Sequence, residues 1–225
     1  MNLNVEKILI IGLGMIGSSI ALASKSKGIK VYGFDKSNNS IKEALEKNII
    51  DLKVESILDI NSKDFVKKVD LIIVAVPPKQ TLDVLNDLKD IWNTDVTITD
   101  TSSVKNHIKL NGASNIVLSH PIAGSDQSGI SAANGDLFKN KKNVLCDPFN
   151  SKKGHFEKVD NFWKNALQMR TSSMSVSEHD LIFAMTSHLP HLVSYALIDS
   201  IRLSNHDVDD NLSLIHISEP TRPTD

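Results

Sequence analysis

The 225-residue sequence predicts an α/β fold: a Rossmann-type, doubly wound and mainly parallel sheet, followed by the start of an all-helical second domain. Three observations lead to this expectation. Short runs rich in Ile and Val alternate with amphipathic stretches over the first two-thirds of the chain. The stretch "ILIIGLGMIGSS" places Gly12, Gly14 and Gly17 directly after the first of these runs and at the opening of a helix. After Thr171 the alternation stops and only a helical period is left.

In chain order, "KILII" (7–11), "KVYGF" (30–34), "LIIVAV" (71–76), "VTIT" (96–99) and "NIVLS" (115–119) read as strands. Their near-continuous apolarity suits parallel strands covered on both faces. Helices are expected between them over 16–27, 40–47, 63–68, 80–92 and 104–110. In the fourth, Leu82, Leu85 and Leu88 form a stripe at near-helical spacing, most simply packed on the sheet. Such alternation implies right-handed crossovers. "NVLC", a helix over 152–167 and "QMRT" complete the first domain, placed at 1–172. A helical domain begins at 173–212 with "SVSEHDLIFAMTSHLPHLVSYALIDSIRLS". It opens on the capping-box spacing Ser175…Glu178, and Pro190 is expected to kink or divide it. The end of the chain, "NLSLIHISEPTRPTD", has no helical period. Its run "ISEPTRP" resembles a translated sequencing adapter, so 213–225 is expected to be a non-native tail and the helical domain to be cut short.

Composition narrows the function classes. Hydrophobic residues make up 40% and charged residues 23%, as in an ordinary globular protein. A net charge of -2 without a basic block argues against a nucleic-acid partner. Cys146 is alone, so no internal disulfide can form and a reducing compartment is expected. The start lacks the pattern of a signal peptide, and no apolar run is expected to reach membrane-spanning length, so the chain reads as cytoplasmic with no membrane partner.

The glycine turn is the first candidate site. Gly12, Gly14 and Gly17, with Met15 and Ile16 opening the helix, suit a diphosphate: a tight turn, close approach of the ligand, close helix–strand packing, and unpaired N–H groups at the helix start. Asp35 ends the second strand about 20 residues on, where a carboxylate accepts the ribose hydroxyls. It would repel a 2′-phosphate, so NAD is expected in preference to NADP, although Lys36 next to it can tolerate that phosphate. "VAVPP" leaves the third of these strands at the carboxyl edge. Val76 and Pro77 there either wall a cofactor cleft or simply end the strand.

The second candidate site is catalytic. "TDTSSVK" follows the fourth of the strands named above and carries hydroxyls at Thr101, Ser102 and Ser103, which could equally cap a helix. His120 in "VLSHPIAGSDQSG" stands at the corresponding end of the next strand, so both segments can converge beside a nicotinamide. Pro121 stiffens the exit and Gly124 lets the loop turn back. His179, His188 and His191 lie on the later helices. His179 reads equally as a polar group satisfied at a domain interface. The i, i+3 pair His188 and His191 lacks a third ligand of suitable spacing, so no metal is expected.

"SHPIAGSDQSG", "TDTSSVK" and "EHDLIFAMTSHLPHLVSYALID" together resemble the prephenate dehydrogenase family, including its cyclohexadienyl and arogenate dehydrogenase members. The likeness covers most of residues 7–204, and the joint presence of glycine turn, HPIAG segment and SHLPH helix makes it specific. The resemblance implies NAD-dependent oxidative decarboxylation of prephenate to 4-hydroxyphenylpyruvate in tyrosine biosynthesis, or of arogenate to tyrosine. By the same resemblance His120 is the catalytic base and Ser103 hydrogen-bonds it or the substrate hydroxyl. His191, with His188 beside it, belongs to the substrate pocket, and Ser102 lies at the cofactor. Asp126 stands where many members have Glu, near the substrate's polar end. For the full-length family member the resemblance implies a homodimer, and the long helices that build it are expected to be missing here. The family's carboxylate-binding arginine lies further along, and Arg170, Arg202 and Arg222 do not stand in its motif.

Two other readings stay open. A β-hydroxyacid or pyrroline-carboxylate type of two-domain dehydrogenase should show a catalytic lysine or another motif in place of SHLPH. A fragment that only binds a nucleotide would keep the glycine turn without turnover.

Overall fold

A computed structural model describes residues 5–125, 127–152 and 154–203. Its eight strands are β1 (Lys7–Ile11), β2 (Lys30–Phe34), β3 (Leu52–Lys53), β4 (Leu71–Val74), β5 (Thr97–Asp100), β6 (Ile116–Ile122), β7 (Lys142–Cys146) and β8 (Arg170–Ser173). They form one sheet in the order β3-β2-β1-β4-β5-β6-β7-β8. Every pairing is parallel except β6 with β7. Central strands such as β4 are buried at every position, which is why their sequences are apolar throughout and do not alternate.

Helices α1 (Met15–Lys25), α2 (Asn38–Glu46), α3 (Ile57–Ile60), α4 (Lys63–Val66), α5 (Pro78–Asp87) and α6 (His155–Asn161) cross between strands. Ile20, Ala21 and Ala23 of α1 join Ile8, Ile10, Val31 and Ile73 of the sheet in one core cluster, which continues to Phe138, Phe162 and Trp163. The strand order changes direction beside β1, so the carboxyl ends of β1 and β4 open a crevice there.

Several expected elements differ in detail. Residues 104–110 form turns instead of a helix, because Lys105 is drawn into the interior and Ser102 holds the Val104 backbone. α5 starts at Pro78, a residue suited to the first helical turn, and ends in a separate 3-10 turn, Lys89–Ile91. The helix expected over 152–167 divides into α6 and a wide π turn, Phe162–Ala166. β3 and α3 escaped the sequence reading because two and four residues are too few to show a period. β6 runs on through His120 and Pro121 to Ile122, since antiparallel β7 offers it pairs beyond the end of β5.

The chain divides into two compact units between His179 and Asp180. The capping box is present: Ser175 Oγ accepts from the Glu178 amide, and a Glu178 carboxylate oxygen accepts from the Ser175 amide at 2.9 Å. The Ser175 hydroxyl, donating to the same carboxylate at 2.7 Å, and then the Ser175 amide hold the Glu178 carboxyl below its ordinary pKa. From there α7 (Val176–Phe183), a π turn (Ala184–His188) and α8 (Leu189–Leu203) follow without a break. Pro190 does not divide them; the wide turn before it accommodates the missing N–H. The run Val176–Ser200 is therefore 25 residues long and, by length and composition, apolar enough to cross a membrane. That corrects the expectation that no apolar run reaches such a length. Asp126 and the tail at 213–225 lie outside the described residues.

Candidate active site

The glycine turn shows three different local needs. Gly12 has φ +98°, and a Cβ there would meet the Ala75 carbonyl oxygen at 2.6 Å. A Cβ on Gly17 would lie 1.9 Å from the Gly12 oxygen, so this glycine lets α1 close onto the turn. A Cβ on Gly14 would meet nothing within 4 Å; the space beside it is open toward a ligand. Gly14 also caps α1 with no side-chain hydrogen bond, so Met15 and Ile16 open the helix with backbone N–H groups suited to an anion.

Asp35 braces the turn. One carboxylate oxygen accepts from the Leu13 amide at 2.7 Å and the other from the Ser37 amide at 2.8 Å. Gly12, Gly14, Asp35, Lys36, Val76 and Pro77 line a common cavity of about 290 Å³. This resolves the double reading of "VAVPP": its residues end β4 and also wall the crevice. The open space beside Gly14 and the shared lining with Asp35 fit a dinucleotide. A second concavity of about 520 Å³ lies at the opposite edge of the sheet, among Glu6, Lys7, Lys27, Lys30 and Asn165.

His120 lies further along the same carboxyl edge. β6 is three strands from β1, about 14 Å at ordinary strand spacing, a span a dinucleotide lying across the edge can bridge. The backbone before His120 is immobilised. The Ser119 amide donates to Asp100 Oδ1 at 3.0 Å, and the Ser119 carbonyl accepts from Lys105 Nζ. The Ser119 hydroxyl pairs with Thr99 Oγ1 and accepts from Trp163 Nε1 at 3.0 Å. Lys105 and Asp100 form an ion pair at 2.6 Å with both side chains fully buried. This clamp ties the loop after β5, which carries Ser102 and Ser103, to β6 at the residue before His120.

Ser102 is itself buried, donates its amide to Asp100 Oδ2 at 2.9 Å, and donates its hydroxyl to the Val104 carbonyl. Its side chain builds the turn. Ser103 is partly exposed on that turn. His120 is partly buried, and its Nδ1 lies 2.9 Å from Nε2 of His179, which is fully buried. The rings meet edge to face at 5.1 Å between centroids. Sequence reasoning singled out His120 but left His179 between two roles, and did not assign Lys105 or Asp100 any. The carboxylate and lysine of "TDTSSVK" were the available signal, read past because charged residues seldom lie wholly inside.

In the second unit His188 and His191 are both exposed, and His191 Nδ1 donates to the Ser187 carbonyl at 2.7 Å. A carbonyl only accepts, so the other nitrogen, Nε2, is the acceptor face of that ring. Among the described residues, no group of three or more potential metal ligands gathers.

A family model described as prephenate dehydrogenase, nucleotide-binding domain, matches residues 20–168, and one described as prephenate dehydrogenase, dimerization domain, matches 175–215. Prephenate dehydrogenase of Bacillus subtilis is 33% identical over 207 residues, covering 88% of this chain and 54% of that protein. Cyclohexadienyl dehydrogenase of Zymomonas mobilis is 32% identical over 210 residues, covering 87% and 67%. The chain thus spans about half the length of the first relative and two-thirds of the second. Among solved structures, prephenate dehydrogenase from Aquifex aeolicus in complex with hydroxyphenyl propionate and NAD+ superposes with a TM-score of 0.82 at 28% identity, over 98% of this chain and 81% of that one.

Proposed function

The chain belongs to the prephenate dehydrogenase family, and on that premise we propose that it is an NAD-dependent oxidoreductase that decarboxylates prephenate to 4-hydroxyphenylpyruvate on the route to tyrosine. The observation that carries this reading is His120, held by the Ser119 clamp on the carboxyl edge that also bears the glycine turn. NAD, when bound, accepts the hydride from the ring carbon that bears the hydroxyl. His120 takes the hydroxyl proton, which a neutral imidazole does well near neutral pH. Ser103, on the turn beside it, orients the hydroxyl. Carbon dioxide leaves and the ring becomes aromatic, so the protein's work is alignment more than driving force.

Gly12, Gly14, Gly17, Met15 and Ile16 would receive the diphosphate, Val76, Pro77 and the Ser102 turn the rest of the cofactor, and Asp35 the adenosine ribose. The negative charge of Asp35 favours NAD over NADP. His191 and His188 would meet the substrate, and Asp126 its polar end. Arogenate differs from prephenate only in the side chain and would react at the same ring carbon; the cyclohexadienyl relative supports a site open to both. The domain limits proposed are 1–172, 173–212 and 213–225. The partner is a second copy, supported by the dimerization-domain match and by the exposed apolar residues of α7 and α8. The compartment proposed is the cytoplasm.

The test is titration with NAD and NADP, then with prephenate and with arogenate, following reduced-nicotinamide absorbance. NAD binding with turnover is the expected result, and His120→Asn should lower turnover by roughly 10²–10⁴-fold without changing NAD affinity. Unchanged turnover in that variant would overturn the assignment. NAD binding with no turnover of either substrate would leave the chain as a nucleotide-binding module.

A further inference from the structure

We propose that His179 is a positioning residue for His120, keeping that imidazole in the tautomer with its hydrogen on Nδ1, so that Nε2 is the nitrogen that receives the substrate's proton. This inference rests on the reading of His120 as the base. It starts from the 2.9 Å separation of His120 Nδ1 and His179 Nε2 and from the complete burial of His179.

Both rings are carried on rigid backbone. Ser119 is tied through its amide, carbonyl and hydroxyl to Asp100, Lys105, Thr99 and Trp163. On the other side, the Met174 amide donates to the Leu145 carbonyl at 3.1 Å, which docks the chain leaving β8 against β7. Leu145 is itself the β7 partner of Ser119. The capping box of Ser175 and Glu178 then starts α7, and the His179 amide donates to the Ser175 carbonyl at 2.9 Å. The fold therefore imposes the contact between the two rings.

A hydrogen bond between two neutral imidazoles has one donor and one acceptor, and the two arrangements have opposite consequences. If His179 donates, the hydrogen of neutral His120 sits on Nε2, and that nitrogen cannot take a proton from substrate. If His120 donates, Nε2 holds the lone pair and the ring is a base in the right direction. When Nε2 takes the hydroxyl proton, His120 becomes an imidazolium, and its Nδ1–H bond to His179 becomes charge-assisted and stronger. His179 is completely buried, and as a neutral ring it offers its Nε2 lone pair for this role. A neutral acceptor also adds no negative charge beside a substrate that carries carboxylates. Of the charged groups nearby, Lys105 and Asp100 pair with each other beneath Ser119, and the Glu178 carboxylate accepts from Ser175.

The test reads the tautomer directly, by nitrogen-15 NMR of the histidine rings in this chain with NAD present. His120 is expected to carry its hydrogen on Nδ1. In His179→Leu the Nε2–H form should appear and the titration midpoint of His120 should fall by about one pH unit, because the bond that favours the charged ring is gone. His179→Gln, whose carbonyl can accept, should keep the wild-type tautomer. In turnover assays His179→Leu should lower kcat by about tenfold, with KM and NAD affinity near wild type, and His179→Gln should recover much of it. A wild-type His120 with its hydrogen on Nε2 would overturn the proposal even if the leucine variant fails to fold. So would a folded leucine variant with unchanged tautomer and midpoint. Turnover that survives His120→Asn would sink the base assignment instead, and the NMR result is independent of it.

Discussion

Lys105 and Asp100 show how much of a site can rest on residues that never touch a ligand. A lysine with a fully buried side chain is tolerable only with a charged partner and further acceptors, and here it has both in Asp100 and the Ser119 carbonyl. Asp100 in turn accepts from the Ser102 and Ser119 amides. Lys105→Met should orphan that carboxylate and destabilise the chain by about 3–5 kcal/mol, read as a lower urea midpoint. Adding Asp100→Asn to that variant should recover part of the loss, since the unpaired charge disappears. If the single change leaves the midpoint where it was, the ion pair does not hold the loop after β5. His120 was legible from sequence because a histidine in "SHPIAG" is conspicuous. His179 was not, because a histidine on a helix says nothing about which ring it will face across 59 residues.

Elements met the sequence reading where burial alone decides them. β1 has its expected limits because a strand covered on both faces must be apolar throughout, and β2 keeps its limits although its positions alternate between buried and half-buried. The stretch 104–110 departed from it because a buried ion pair outweighs helical propensity. The α6 connection carries a further buried polar contact: His155, at its first turn, lies with Nδ1 2.8 Å from Thr97 Oγ1 of β5. Burial, and then the charge of Lys158, holds the His155 pKa below its ordinary 6.5. The sign follows from proton binding: below 6.5 the unfolded chain takes up a proton that the folded chain resists. Stability from this group is therefore complete above pH 6.5 and declines as pH falls from there toward the lowered folded value. Urea unfolding at about pH 7.5 and about pH 5.5 should show that decline, and His155→Gln should flatten it. An equal pH dependence in the variant would mean that other groups govern acid stability.

At the scale of the molecule, the described residues of the second unit leave an apolar stripe exposed. Leu181, Met185, Leu189, Leu192, Val193 and Tyr195 are each more than half exposed along α7, the π turn and α8. Exposed apolar stripes of this kind mark association surfaces, and the dimerization-domain match covers the same residues. Sedimentation should show self-association of the chain at micromolar concentration, and Leu189→Glu with Leu192→Glu should abolish it while the NAD-binding unit stays folded. A wild-type chain that sediments as a monomer would rule out this face as the contact. The length of that helix was hidden from sequence reading by Pro190, whose usual effect is absorbed by a widened turn just upstream.

By itself the sequence determined the doubly wound sheet, the glycine turn with its carboxylate, and the family to which the chain belongs, because each is written in short-range patterns: apolar runs, glycine spacing and contiguous motifs. Only the tertiary structure decided that Lys105 lies inside, that Ser102 serves the turn, and that His179 meets His120. Those outcomes depend on which distant segments the sheet brings side by side, and no local pattern encodes a contact between strands and helices so far apart in the chain.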